Sequence, residues 1–384
     1  MEHAEILHRC FRCGYCKLPS NYQNLNCPSY LNYRFETFSP GGRMWLLRAW
    51  LDQEIKTTPR LSEIFFSCTA CGNCVEQCVF TKFKDDLLNV FIAGSEELVN
   101  QGAVPARVSD YFKSLNLYGN PYKLSEAESG RWAEGLGIEP YQGQEYLFYV
   151  GCAGSYDEQG QKMTRSVATI LKKLGVSFGI IPKETCDGNE VRTMGEKGLF
   201  EKLARRNIDQ FRELGIQKVI TLSPHAYNIM KNWYPGLGGS FQVYHYSQVM
   251  VGLAGKIKYP GRKKELLVTF HDPCYLGRHN KDYISARLIL NTIPGVRLVE
   301  MDRSMADSLC CGGGGGNFFT DILGAGPESP ARVRVQEAKA TGAEILSVAC
   351  PKCAKMLEDA LKAEGLEEKI RVMDLAEIML SHLD

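Results

Sequence analysis

The residues in this chain whose types and spacing could do chemistry are its cysteines, fifteen of them in 384 residues. The densest group is Cys310-Cys311-Gly312-Gly313-Gly314-Gly315-Gly316-Asn317, two adjacent cysteines running into five glycines. Adjacent thiols seldom serve a packed core, and glycines strip away side chains so that backbone amides can approach something bulky and rich in sulfur. A glycine run by itself is more often a flexible linker. Here it has company: Cys274 upstream in His-Asp-Pro-Cys, and Cys350-Pro351-Lys352-Cys353 downstream. Five cysteines of one pattern predict a metal site on soft thiolate ligands, with Gly312, Gly313 and Gly314 against the bound group.

Two further sets lie near the start of the chain. Cys10, Cys13 and Cys16 form C-x-x-C-x-x-C, with Cys27 before Pro28 as a distant fourth. Cys68, Cys71, Cys74 and Cys78 follow the C-x-x-C-x-x-C-x-x-x-C run of bacterial ferredoxins, with Val79 where proline is usual. In two-cluster ferredoxins the last cysteine of each run ligates the other cluster. That rule predicts one 4Fe-4S cubane on Cys10, Cys13, Cys16 and Cys78, and a second on Cys68, Cys71, Cys74 and Cys27. Structural zinc is the alternative for paired C-x-x-C motifs, whereas two three-cysteine runs, each with a distant fourth, favour iron and sulfide. Cys16 and Cys27 are further apart than ferredoxin spacing requires, so residues 17–26 should bulge out as a loop free to touch a partner. Between the runs, Trp45, Leu46, Ala49 and Trp50 recur at helical spacing, which predicts a helix over 44–55 packed beneath the clusters.

Beyond about residue 145 the chain repeats itself. Apolar runs at 145–151 and 266–271 lead to Cys152 and Cys274, helical patterns follow at 164–174 and 285–293, and second apolar runs come at 176–181 and 296–301. Then come Cys186-Asp187-Gly188 in one copy and Cys310-Cys311-Gly312 in the other. Third runs at 218–222 and 344–348 precede Ser223-Pro224-His225-Ala226 and Cys350-Pro351-Lys352-Cys353. The first two loops are 34 and 36 positions apart in the two copies, and the next two are 37 and 40 apart, so the copies keep register.

Alternating strands and helices predict an α/β fold: two small parallel sheets with helices on their faces, related by a pseudo-twofold axis. The cysteines fall at strand ends, where such sheets bind ligands. The second copy has all five cysteines. The first keeps Cys152 and Cys186 but has Asp187, Ser223 and Ala226 at the other positions, so an identical cluster should not form there. His225 could join Cys152 and Cys186 around zinc, or serve only as a hydrogen-bonding residue. The expected organisation is a mostly helical, ferredoxin-like module over 1–85, a connector over 86–144 lying across the next domain, and the two copies over 145–255 and 256–384.

Composition narrows the function classes. Forty-five basic and forty-four acidic residues leave a net charge of +1, which implies neither nucleic acid nor an anionic membrane surface as a partner. The first residues lack the apolar stretch of a signal peptide, and no apolar run is long enough to span a bilayer. The thiols read as metal ligands in a reducing cytoplasm rather than as a disulfide scaffold, in a protein free there or docked on the inner face of a membrane.

In the order of its parts the chain resembles the B-type and D-type subunits of heterodisulfide reductase and the wider group of iron-sulfur oxidoreductases with paired cysteine-rich CCG domains, the D type above all. The resemblance rests on His271-Asp272-Pro273-Cys274-Tyr275-Leu276-Gly277-Arg278, on the CCG and CPKC loops, and on Gly119-Asn120-Pro121-Tyr122 in the connector. It implies a noncubane 4Fe-4S cluster on Cys274, Cys310, Cys311, Cys350 and Cys353, in an oxidoreductase subunit of a larger anaerobic complex. Electrons would pass between the cubanes and the noncubane cluster, which would meet a disulfide or thiol, a quinone or a partner's cofactor. A pure electron relay and a docking scaffold are the alternatives. Family members that cleave the heterodisulfide of two methanogenic thiol coenzymes use a cluster in each CCG domain, and the ligands missing from the first copy depart from that pattern. His271, Arg278 and His279 flank Cys274, either to supply protons or bind an anion, or to orient the ligand loop. No flavin or nicotinamide fingerprint is present, so electrons must come from another chain. The resemblance implies a flavin-bearing subunit like heterodisulfide reductase A, an electron-transferring flavoprotein or a membrane cytochrome b, with class II benzoyl-CoA reductase assemblies as further hosts.

Overall fold

The computed structural model of the chain describes residues 4–261 and 265–383; positions 1–3, 262–264 and 384, which fall in the first and last of the expected segments, lie outside the described residues. The N-terminal part is built of short helices that begin where the sequence offers caps. Ser39 accepts from the Gly42 amide and Pro40 opens the helix Pro40–Leu51, while Thr58 accepts from the Leu61 amide at the start of the proline-led helix Pro59–Phe66. The first of these helices buries Arg43, Met44 and Leu47. Trp45, Leu46, Ala49 and Trp50, expected to form the packed face, are only half-buried. Pro40, Gly41 and Met44 take the face toward a cysteine-lined cavity. The indoles sit on the flanks instead, Trp45 under the Arg12 guanidinium at 3.5 Å and Trp50 Nε1 donating to Thr57 Oγ1 at 3.1 Å.

The loop over 17–26 exposes residues 20–24, as expected of a bulge, but is tied down at Ser20, Leu25 and Asn26. Arg303 Nη1 donates to Leu25 O at 2.6 Å, Asn26 Nδ2 to Asp307 O at 2.9 Å, and the Ser20 amide to Asp307 Oδ1 at 2.9 Å, so the insertion is clamped to the second repeat. Helices Leu87–Asn100 and Ala106–Tyr118 then carry the chain to the first repeat. The connector lies against that repeat, with Trp132 edge-on to Phe148 and Ser129 Oγ donating to Pro182 O at 2.9 Å.

Two parallel four-stranded sheets follow. The first has strands β1 (Tyr146–Tyr149), β2 (Phe178–Gly179), β3 (Lys218–Thr221) and β4 (Gln242–His245) in the order β2-β1-β3-β4. The second has β5 (Leu266–Phe270), β6 (Val296–Leu298), β7 (Ile345–Val348) and β8 (Arg371–Asp374) in the order β6-β5-β7-β8. All pairs in both sheets are parallel. Central strands such as β7 are buried along their whole length, as a parallel sheet covered on both faces requires. The fourth strands, absent from the sequence expectation, match as well. His245 at the end of β4 and Asp374 at the end of β8 each start a helix with a capping box, using Gln248 and Glu377.

The two copies pack reciprocally. Helix Glu158–Lys173, which follows β1, lies on helix Leu375–Ser381, which follows β8; helix Ser285–Thr292, which follows β5, lies on helix Tyr246–Leu253, which follows β4. An exchange of equivalent contacts of this kind is the mark of a twofold relation. One apolar core runs across the interface, through Phe148, Ile220, Phe270 and Ile345.

Candidate metal centres

Every candidate ligand of the repeats lies at the carboxyl end of a strand. Cys152 follows β1, Cys186 follows β2, Cys274 follows β5, Cys310 and Cys311 follow β6, and Cys350 follows β7 as the N-cap of helix Pro351–Ala363. Ser223, the counterpart of Cys350, caps its own helix by accepting from the His225 amide at 3.2 Å. The hydroxyl does there the local work that a thiol cannot.

Apart from Cys152 and Cys186, the cysteines, thirteen in all, gather into three places. Cys10, Cys13, Cys16 and Cys78 line one cavity together with Met44, Phe80 and Phe83. Cys27, Cys68, Cys71 and Cys74 line a second, and Cys16 reaches its wall too. In each cavity, one run supplies three cysteines and the other supplies the fourth. In the second repeat, Cys310 Sγ stands 3.9 Å from Cys274 Sγ, and Cys311 Sγ stands 3.4 Å from Cys353 Sγ. Cys350 is fully buried beside them. The second and third groups touch: Cys71, Cys274, Tyr275 and Cys310 form one buried cluster.

These donor sets fit iron-sulfur clusters. Burial pushes the Cys16 thiol up to about 12 and drives Cys27, Cys68 and Cys74 upward as well. Grouped thiols in such surroundings become thiolates only if a metal charge replaces their protons. Arg43 belongs to the same picture. Its guanidinium is almost wholly buried in the wall of the second cavity, donating to Phe38 O at 2.7 Å, Ile64 O at 2.8 Å, Ser29 Oγ at 2.9 Å and Ser67 Oγ at 3.0 Å. Among the described residues no carboxylate pairs with it. An unpaired buried cation costs several kcal/mol, and an anionic cluster would offset that.

The glycine run does more than approach a ligand. The Gly312 amide points at Cys310 Sγ at 3.3 Å. Side chains at Gly314 and Gly315 would stand 2.3 Å from Thr69 O and 2.0 Å from Cys68 O. Bare backbone there lets the loop of the third set press on the loop of the second. Arg278 and His279 reinforce the same junction: Arg278 Nε donates to Cys71 O at 2.8 Å and its Nη1 to Ser308 O at 2.6 Å, while His279 Nε2 bonds Ala70 O at 2.9 Å and its ring stacks on Tyr275. Burial holds His279 down at about 4, hence neutral. Both side chains are thus engaged with backbone carbonyls of the loop that carries the second set.

His271 is fully buried, and burial followed by the Arg334 charge holds it down at about 3. Arg334 Nε donates to its Nδ1 at 3.3 Å, which fixes the proton of the neutral ring on Nε2. Together with Cys311 and Cys353 it forms the grouping of three metal-binding side chains, among the described residues, whose donor atoms lie within 4.8 Å of one another. His225 turns away from Cys152 and Cys186. Its Nδ1 is 2.6 Å from Glu190 Oε1, and Glu190 also pairs with Lys352 Nζ at 2.5 Å. Sequence reasoning passed over Arg43, Glu190 and Lys352. The available signals were an arginine inside an apolar helix and a lysine between the two cysteines of Cys350-Pro351-Lys352-Cys353.

Comparison with known proteins agrees with this architecture. A 4Fe-4S dicluster domain model matches residues 6–81, and a cysteine-rich domain model, CCG, matches 146–231 and 268–358. Over 328 residues the chain is 31% identical to the D-type subunit of the dihydromethanophenazine:CoB–CoM heterodisulfide reductase of Methanosarcina barkeri, covering 82% of this chain and 77% of that protein. The chain belongs to the D-type heterodisulfide reductase family. It is 36% identical to a probable iron-sulfur-binding oxidoreductase of Bacillus subtilis, FadF, and 30% identical to an EtfAB:quinone oxidoreductase of Syntrophomonas wolfei, each over 334 residues and 83% of this chain. The chain spans about half the length of those two relatives, 46% of each. Within its family this chain is an iron-sulfur protein of oxidoreductase type, and among its described residues no helix is long and apolar enough to cross a membrane.

Proposed function

We propose that the chain is the iron-sulfur oxidoreductase subunit of a multi-subunit anaerobic redox complex. It would carry electrons between two 4Fe-4S cubanes, on Cys10, Cys13, Cys16 and Cys78 and on Cys27, Cys68, Cys71 and Cys74, and a noncubane 4Fe-4S cluster on Cys274, Cys310, Cys311, Cys350 and Cys353. Clusters held there supply one-electron transfer at potentials set by hydrogen bonds, charge and burial. The observation that supports this most is the serial contact of the three cysteine sets: Cys16 walls both N-terminal cavities, and Cys71 packs on Cys274 and Cys310.

The chain's other residues have positioning roles in this scheme. Arg278, His279 and the glycine run bind the loop of the second set to that of the third. Arg43 places a buried positive charge beside Cys27 and Cys68, and His271 orients the sulfurs it faces. The relatives' names point to a disulfide or thiol, a quinone or a partner's cofactor as what the third site meets. The fitting donors or acceptors are a flavin-bearing heterodisulfide reductase A-like subunit, an electron-transferring flavoprotein or a membrane cytochrome b, reached in the cytoplasm or at the inner face of the membrane. One observation favours a second reading, a relay with no substrate of its own: all five cysteines of the third set are buried.

Iron, sulfide and zinc content of the anaerobically purified chain, with low-temperature EPR, tests the proposal. About twelve irons and no zinc is the expected result; about eight would remove the noncubane cluster, and about sixteen would mean that the first repeat binds one too.

A further inference from the structure

Thirteen cysteines belong to the three sets, which leaves Cys152 and Cys186 with no part in the proposed function. They are not scattered. Both line one small cavity at the strand ends of the first repeat. Through the pseudo-twofold relation they stand where Cys274 and Cys310 stand in the second repeat, a pair whose sulfurs are 3.9 Å apart. Their backbones are held in place. Glu184 accepts from the Val150 and Gly151 amides, the latter at 2.8 Å, and the Gly188 amide points at Cys186 Sγ at 3.5 Å.

The remainder of the cavity wall is suited to sulfur chemistry. Asp187 and Ser223 replace two cluster ligands, so no set of soft donors remains to claim the thiols for a cluster. Tyr111 lines the cavity with a buried hydroxyl that has no hydrogen-bond partner among the described residues. A hydroxyl in that position can donate to a sulfur that gains charge. Lys352, which sits between Cys350 and Cys353 of the third set, reaches into the same wall, so this cavity and the third site share a boundary. Cys186 is buried and Cys152 partly exposed, which gives protons a way in and out.

We infer that Cys152 and Cys186 form a redox-active dithiol-disulfide pair that exchanges two electrons with the chain's own iron-sulfur centres. Oxidation breaks two S–H bonds and forms one S–S bond, releasing two protons to water past Cys152 and two electrons, one at a time, to oxidised iron-sulfur centres. Reduction takes two electrons from reduced centres and two protons from water. The pair would occupy, within the chain, the place where a two-cluster relative holds its second cluster. The electron route rests on the proposed function; the existence of the pair does not.

The test uses the full-length holoprotein, poised anaerobically over a range of potentials with redox mediators and no added thiol, quenched in acid, alkylated and digested without reductant. The expected result is a peptide joining Cys152 to Cys186 that appears on oxidation with a two-electron slope and disappears on re-reduction. Cys186→Ser should then take up two fewer electrons at unchanged iron content. Single alkylation of both cysteines at every potential would overturn the inference, as would one zinc per chain in the wild type that is lost in Cys186→Ser. The mapping on the wild type needs no variant to fold. Iron content of the same samples reports on the cluster assignment separately, so low iron with a reversible linked peptide would sink that assignment and leave the pair standing.

Discussion

Replacing Arg43 should lower the reduction potential of one cluster and leave the others nearly unmoved. Cys27 Sγ lies 3.6 Å from Ser29 Oγ, which accepts from Arg43 Nη2 at 2.9 Å. The guanidinium is therefore within about 6.5 Å of that sulfur, and at an effective dielectric constant of about 20 a unit charge at this distance is worth about 2.5 kcal/mol. For a one-electron couple that corresponds to about 110 mV. The charge is sealed from solvent, so salt screens it little. In Arg43→Met the midpoint of the cluster proposed on Cys27, Cys68, Cys71 and Cys74 should fall by about that amount in an EPR-monitored titration. Arg43→Lys keeps the charge but gives up the fork of donors to Phe38 O, Ile64 O and the two serines, so it should lose stability while holding the potential within a few tens of mV. An unmoved midpoint in an Arg43→Met protein that retains its iron would refute the reasoning, because the charge would then be compensated by something other than the cluster.

Two further outcomes follow from packing and titration. Gly315 and Gly324 both have positive φ, but a side chain at Gly315 meets Cys68 O at 2.0 Å whereas one at Gly324 meets nothing within 4 Å. Gly324→Ala should therefore cost only about 1 kcal/mol. Gly315→Ala should cost about 2 kcal/mol more and loosen the junction of the second and third cysteine sets, read as a drop in holoprotein melting temperature. Burial pushes Asp374 up to about 8, so its folded value lies above the unfolded one. Its contribution to stability is full below the unfolded carboxyl range near pH 4 and is lost as pH rises through about 8. Asp374→Asn, which preserves an acceptor for the helix cap, should flatten the stability profile between those limits in denaturant titrations; an equally steep profile would contradict this.

The cysteine sets and the duplication were legible because ligand spacing and repeat register are local properties of a sequence. The fourth strands were not. β4 and β8 are short edge strands, Gln-Val-Tyr-His and Arg-Val-Met-Asp, whose outer ends are exposed, so neither carries the apolar run that marked β1, β3, β5 and β7. The tryptophan stripe packs elsewhere for a related reason: helical spacing shows which residues share a face, but not that Gly41 and Met44 must take the face toward the cysteines. Pairs such as Lys352 with Glu190 join positions far apart in the chain, and no periodicity reports that.

Glu190 ties the first repeat to the second. The Gly316 amide donates to its Oε2 at 2.8 Å, and its Oε1 pairs with Lys352 and with His225. The lysine and histidine hold the carboxyl far below its ordinary range against the opposing effect of burial, so it stays charged. One carboxylate on the second loop of the degenerate copy thus anchors two of the three loops that carry the third cysteine set. Arg278 and His279 tie the remaining loop, that of Cys274, to the N-terminal module through Cys71 O and Ala70 O. The first repeat thus fixes loops of the second. What remains free of that task is the cavity on the far side of Glu190, with its two leftover thiols.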